Sequence, residues 1–142
     1  MRIPTRLDPC VITQGFHDAH HAVDLRAFMH DPVFAPEDAM VTRVFVDPNG
    51  NHAVYLEGIS GMEYRLFHAT SVAGIIPRAR IAEGSAVGRI VLDPGSTGTH
   101  LHFEVLSAGR LQNPIRWMLQ HGIAYSWKAG IPRHGEADEA TV

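Results

Sequence analysis

A small, mostly β domain of antiparallel strands, closed by one short helix near the C-terminus, is the fold class this sequence predicts. Three observations carry that prediction. Short runs alternate apolar and polar residues, are rich in Val, Ile, Phe and Tyr, and are separated by turn residues at close intervals. The helix-length segments that βαβ crossovers need between strands are missing, which argues against a parallel sheet. Finally, 142 residues with 45% hydrophobic and 19% charged content suit a single globular core.

In chain order, Met1 to Cys10 is extended, because Pro4 and Pro9 each disfavour helix in the residue before them. Val11-Ile12-Thr13 makes a first short strand. His20-x-x-x-Asp24 follows, and in a straight strand those two residues would lie roughly 13 Å apart. If they share a ligand the chain must bend between them or form a helical turn. Asp31-Pro32-Val33-Phe34-Ala35-Pro36 reads as turn-rich and blocks a long helix. Met40 to Val46 and His52 to Glu57 form a hairpin around Asp47-Pro48-Asn49-Gly50, with Asn-Gly supplying positive φ angles. Met62 to His68 is a third strand, ending on a histidine. Ser71 to Ile81 is mixed, Glu83 to Leu92 is a turn leading into a strand, and Asp93 to Gly98 is a loop. The strand Thr99-His100-Leu101-His102-Phe103-Glu104-Val105 follows directly. Asn113 as N-cap, Pro114 at the first helical position and Gly122 as the stop delimit a short helix over 114–121. One domain spans 1–142, its β core about 12–118, and the acidic, apolar-poor stretch 128–142 is expected to be a mobile tail.

The formal net charge of −3 gives no electrostatic reason to expect nucleic acid or an anionic membrane as partner. A lone cysteine, Cys10, excludes an internal disulfide and leaves any metal site to His, Asp or Glu. Prolines and charges break the N-terminal stretch where a signal peptide needs an apolar run, and no apolar segment approaches the ~20 residues that span a bilayer. Ten histidines are the unusual feature.

His100 and His102 alternate in a strand, so both imidazoles point to one face with Cα atoms roughly 6 to 7 Å apart. Taken singly, each histidine has a bland reading: an edge-strand pair, a solvated loop around His20 and Asp24, a strand end at His68. Taken together they support zinc chemistry. A catalytic zinc site prefers three ligands from His, Asp or Glu and one open position, and the residual charge lowers the pKa of a bound water to about 7. Remaining histidines can act as base and as donor to a developing oxyanion. The His-Glu-x-x-His helix of the helical zinc peptidases is absent.

His20-x-x-x-Asp24, Tyr64-x-x-x-His68 and Gly95-Ser96-Thr97-Gly98-Thr99-His100-Leu101-His102-Phe103-Glu104 resemble, in order, the motifs of the LytM/lysostaphin-type zinc endopeptidases, which cut peptide bonds in bacterial peptidoglycan. Asp31-Pro32-Val33, the glycine-punctuated Ala82 to Gly88 and Asn113-Pro114 are softer landmarks of the same resemblance. It implies a lysostaphin-like fold of the duplicated-hybrid-motif type, a small antiparallel sheet with an active-site groove. It also implies one Zn²⁺ per chain held by His20, Asp24 and His102, with His68 and His100 as the catalytic histidines. Ala22 stands where the family usually has glycine, and Ala69 where leucine is usual. His17, His21, His30, His52, His121 and His134 have no motif role and read as surface or loop residues, while Trp117 and Trp127 read as core packing.

The expected function is therefore a zinc endopeptidase acting on peptidoglycan stems or cross-bridges. With no signal peptide, the expected route to the wall is as a phage tail or virion component, with other virion proteins as partners, or as an endolysin released at lysis. Two rivals stand beside it. One is a non-catalytic wall-binding or virion structural module that keeps the fold. The other is a structural zinc, which would need a fourth protein ligand that the sequence does not supply.

Overall fold

The computed structural model describes residues 1–136. In chain order the strands are β1 (Cys10–Gln14), β2 (Val23–Arg26), β3 (Pro32–Phe34), β4 (Ala39–Val46), β5 (His52–Gly58), β6 (Glu63–Phe67), β7 (Ala69–Ser71), β8 (Arg80–Ile81), β9 (Ala86–Ile90), β10 (His100–Ser107), β11 (Arg110–Gln112) and β12 (Tyr125–Trp127). Helix α1 (Pro114–Gln120) lies between the last two. A nine-stranded sheet runs β12-β1-β2-β10-β6-β5-β4-β8, with β11 added to β10, and β3-β9-β7 form a second sheet of three strands. The pairings are antiparallel apart from β1 with β12. The mostly β, antiparallel class expected from the alternation is the class observed.

Strand β10 sits inside the large sheet between β2 and β6, and its alternation divides core from groove. Leu101, Phe103 and Val105 are fully buried, whereas His100, His102 and Glu104, on the opposite face, are only partly covered. On β2, Val23 and Leu25 join the core while Asp24 and Arg26 share the groove face, and on β6 Tyr64 and Leu66 face inward. Trp117 of α1 packs edge-on against Phe103 and Tyr64, closing one end of the core as expected for a packing tryptophan. Each such large side chain contributes about 1.5–3 kcal/mol by leaving water, so the histidine face rests on a fully buried apolar layer.

Several local expectations change. Asp31 to Pro36 contains a strand, because Val33 is fully buried and pairs with Gly88 of β9. In the β4–β5 hairpin Gly50 has a φ of 86° while Asn49 is not in the left-handed region, and the Asp47 carboxylate accepts from the Asn49 and Asn51 amides to close the loop. Strands β11 and β12 have no counterpart in the sequence reading. The helix begins as expected, with Asn113 Oδ1 accepting from the Ile115 amide at 3.0 Å. Of the stretch expected to be a mobile tail, the Lys128 amide donates to Ile12, Asn113 donates to the Gly135 carbonyl and Trp127 Nε1 donates to Glu136. Residues 137–142 of that stretch lie outside the described residues. Among the described residues no helix is long and apolar enough to cross a membrane.

Candidate metal centre and active site

His20 reaches the groove through a bend. His17 and His20 exchange backbone hydrogen bonds, which turns the chain back before β2 begins at Val23. Ala22, in that bend, is fully buried and outside the left-handed region, so its Cβ is accommodated. Just upstream, Gly15 has no room for a side chain, since a Cβ there would sit 2.2 Å from the His134 carbonyl oxygen. Its own carbonyl accepts from His20 Nδ1 at 2.9 Å. Register then does the rest: Asp24 of β2 lies directly opposite His102 of β10.

Asp24 Oδ1 stands 3.2 Å from His20 Nε2 and 3.1 Å from His102 Nδ1. Ligands about 2.0–2.1 Å from a tetrahedral ion are separated by roughly 3.3 Å, so each imidazole nitrogen already stands from the carboxylate oxygen at the spacing of one coordination shell. One ligand atom from each of the three residues lies within 4.8 Å of the others. The outer nitrogens are also spoken for. His20 Nδ1–H is held by Gly15, and His102 Nε2–H donates to Glu104 Oε2 at 3.0 Å, which turns His20 Nε2 and His102 Nδ1 toward Asp24, as N–H donors to the carboxylate while they carry a proton and as lone-pair donors where an ion takes the proton's place. Two neutral imidazoles, each oriented from behind, and a carboxylate fit Zn²⁺.

The electrostatics agree. Burial acts to raise the Asp24 pKa, but hydrogen bonds from His102 and His20 more than reverse it and hold the carboxyl well below its usual range. Burial likewise opposes charge on His102, yet Asp24 and Glu104 push it up to about 9. His20 is also raised, against burial, chiefly by Asp24. The cluster therefore demands a positive charge at its centre, a proton or a metal ion.

His68 and His100 stand beside this cluster with ring centroids 4.6 Å apart. His100 Nδ1 donates to the Gly98 carbonyl at 3.1 Å, and its Nε2 lies 3.7 Å from Asp24 Oδ2. His68 is held at a φ of 69°, a left-handed conformation uncommon for a residue with a Cβ. Its amide donates to the His52 carbonyl and its own carbonyl accepts from Val91, so the kink between β6 and β7 is fastened on both sides. Such strain is found where surrounding structure over-determines it, commonly at active sites. His68 Nδ1 donates to Asp93 Oδ2 at 2.8 Å, presenting Nε2 to the groove. Burial lowers the His68 pKa, aided by the neighbouring His100 and His102 and opposed by Asp93.

All five residues singled out in the sequence thus meet in one place, and three more that were not singled out support them. Asp93 has only 1% of its side chain exposed and accepts from His68 Nδ1, His52 Nδ1 (2.6 Å) and the His52 amide. His52 is therefore not a free surface histidine: it faces the buried carboxylate that orients His68. No local pattern could join it to a residue 41 positions away. Glu104, by contrast, was discoverable, since it continues the i, i+2 alternation of His100 and His102.

The groove opens on both sides of the cluster. On the β6 side is a recess of about 200 Å³ bounded by His68, His102, Phe67, Asp47 and Glu104. On the β1 side is a cleft of about 510 Å³ bounded by Asp24, His100, Arg26, Phe28, Thr97 and Lys128, among others.

Residues 18–114 match the family model described as peptidase family M23. Among solved structures, a zinc-containing peptidase from Vibrio cholerae is 24% identical with a TM-score of 0.69, the match covering 92% of this chain and 40% of that one. The antimicrobial peptidase lysostaphin from Staphylococcus simulans is 16% identical with a TM-score of 0.69, covering 95% of this chain and 60% of that one. A chain from the SpoIIIAH and SpoIIQ complex is 19% identical with a TM-score of 0.69, covering 82% and 98%. This chain therefore spans less than two thirds of the Vibrio and Staphylococcus chains, and these likenesses establish the fold. Among curated proteins none matches it in sequence.

Proposed function

The chain belongs to peptidase family M23, and from that membership we propose that it is a zinc-dependent endopeptidase hydrolysing peptide bonds in the stems or cross-bridges of bacterial peptidoglycan. His20, Asp24 and His102 would hold the ion. The chemistry a bound zinc supplies is Lewis acidity, which brings the pKa of a coordinated water to about 7 and polarises a carbonyl. The observation that carries the reading is the shared orientation of four imidazoles: each has one ring nitrogen fastened behind it, and the other is left for the groove.

The remaining chemistry falls to His68 and His100. His68, kept neutral by burial and holding its Nδ1–H on Asp93, offers Nε2 as acceptor for the proton of the attacking water. His68 then passes that proton on to the leaving amine, and His100, fixed by its Nδ1–H on the Gly98 carbonyl, turns Nε2 toward the carbonyl oxygen, where it stabilises the developing negative charge when Nε2 also carries a proton. Zymography on purified cell walls tests the reading. Clearing is expected from the zinc-loaded chain and lost with chelator or with His102→Ala. Zinc-loaded protein that cleaves no wall of several chemotypes would contradict it.

A second reading, a non-catalytic wall or assembly module, takes support from the likeness to a chain crystallised in the SpoIIIAH and SpoIIQ complex. Full biological effect from a His100→Ala protein would favour it. The filled set of five site residues speaks for the enzyme.

A further inference from the structure

We propose that the cleft on the β1 side of the metal cluster is a carboxylate-binding subsite in which Arg26, assisted by Lys128, selects peptides bearing a free carboxylate beside the scissile bond. The proposal rests on the hydrolase reading and adds a substrate class to it.

Arg26 follows Asp24 by two residues on β2, so both side chains stand on the groove face about 7 Å apart along the strand. In the β2–β10 register Arg26 lies directly opposite His100, as Asp24 lies opposite His102. One end of the reacting centre is therefore flanked by a guanidinium at a spacing of a single residue. Arg26 is half-buried, yet its side chain makes no hydrogen bond or ion pair with any described residue. An unpaired guanidinium on the wall of a cleft is free to take a carboxylate from a ligand. Asp24 does not serve, because its oxygens are engaged by His20, His102 and His100.

Lys128 adds a second cation to the same cleft, and its place is set by β12, whose continuation fastens the Lys128 amide to Ile12 of β1. The opposite recess has the reverse character, with Asp47 and Glu104 on its walls. The groove is thus polar end to end, and the cationic end is the one where the Arg26 and Lys128 side chains have no partner among the described residues. A planar fork suited to bidentate contact is the group that best reads a carboxylate. A substrate with a carboxylate one residue from the cut bond would supply the missing partner, while one neutral at that position would leave it unfilled.

The test uses the zinc-loaded full chain and two cross-linked stem peptides identical except at one group beside the scissile bond, a free carboxylate in one and a carboxamide in the other. The expected kcat/KM ratio favours the acid by roughly 10- to 100-fold, the size of a charge-assisted hydrogen bond. Arg26→Gln should bring the ratio close to one, Arg26→Glu should invert it, and Lys128→Ala should reduce it less because that side chain is exposed. A ratio near one in the unsubstituted protein, or one that survives in Arg26→Gln, overturns the proposal. If neither peptide is cut, calorimetric titration with the same pair decides separately. Acid-selective binding lost in Arg26→Gln keeps the subsite while the hydrolase reading fails, and unselective or absent binding of both peptides overturns the subsite.

Discussion

Replacing Asp93 separates two things its carboxylate does for His68. Oδ2 accepts from both the His52 amide and His68 Nδ1, and Oδ1 accepts from His52 Nδ1. In Asp93→Asn the amide oxygen must take the Oδ2 position, because the His52 backbone N–H cannot accept from an NH₂ group. His52 can answer by changing tautomer, and His68 keeps its Nδ1–H anchored. What is lost is the charge that stabilises His68 once it has taken a proton. The difference between a charged and a neutral hydrogen bond is about 1–2 kcal/mol, so kcat should fall roughly 5- to 30-fold. Asp93→Ala removes the acceptor as well, freeing the ring and its tautomer, and should cost the larger share of general-base catalysis, roughly 10²- to 10⁴-fold. Neither substitution touches His20, Asp24 or His102, so zinc content should hold at one per chain. Single-turnover cleavage of a defined stem peptide, with zinc measured on the same samples, reads both quantities. An Asp93→Ala protein that is folded, zinc-loaded and as fast as the unsubstituted chain would exclude a role for Asp93 in orienting His68.

Other expectations follow from the same contacts. Glu104→Gln weakens the acceptor behind His102 Nε2 and should reduce zinc affinity roughly 10- to 100-fold in a competition titration. Because the His68 pKa lies below its ordinary 6.5 and the neutral ring is the base, kcat/KM should rise with pH through an acid limb below 6.5. Asp93→Asn, having lost the charge that favours the imidazolium, should move that limb to lower pH. In the core, Tyr64 donates to Glu37, which also accepts from the Ser60 amide and hydroxyl. Tyr64→Phe should cost about 2 kcal/mol in urea unfolding. Burial and Glu37 raise the Tyr64 pKa, so its contribution is present below the unfolded value of about 10 and is lost as pH rises beyond it. Tyr64→Phe should flatten the alkaline fall in stability, though Cys10, pushed up to about 12 by burial, leaves part of that slope in place.

The alternation of β10 made its two faces readable without coordinates, and with them the shared direction of His100 and His102. Asn113-Pro114 and Gly122 delimited the helix for equally local reasons, capping and the missing proline N–H. Other features depend on distance in sequence. Strand β12 is short, and it exists because β1 offers it an edge, a partner more than a hundred residues away. Asp93 sits in an Asp-Pro-Gly turn whose composition says only that the chain reverses. That its carboxylate points inward to His52 and His68 is a property of the packed sheets, as is the opposition of Arg26 and His100 across β2 and β10. The bend carrying His20 was required by the 13 Å argument, but its means, a two-bond bridge between His17 and His20, follows from no spacing rule.

On the proposed reading, the cluster of His20, Asp24 and His102 holds a zinc ion used to cut peptidoglycan peptides. Mass analysis of fragments released from defined walls, by the zinc-loaded chain with and without chelator, tests it most directly. Peptide fragments bearing new amino and carboxyl termini are expected with one zinc per chain, absent with chelator or in His102→Ala, and restored when zinc is returned. Release unaffected by chelator, or no release from any wall by protein carrying its full zinc, would contradict it.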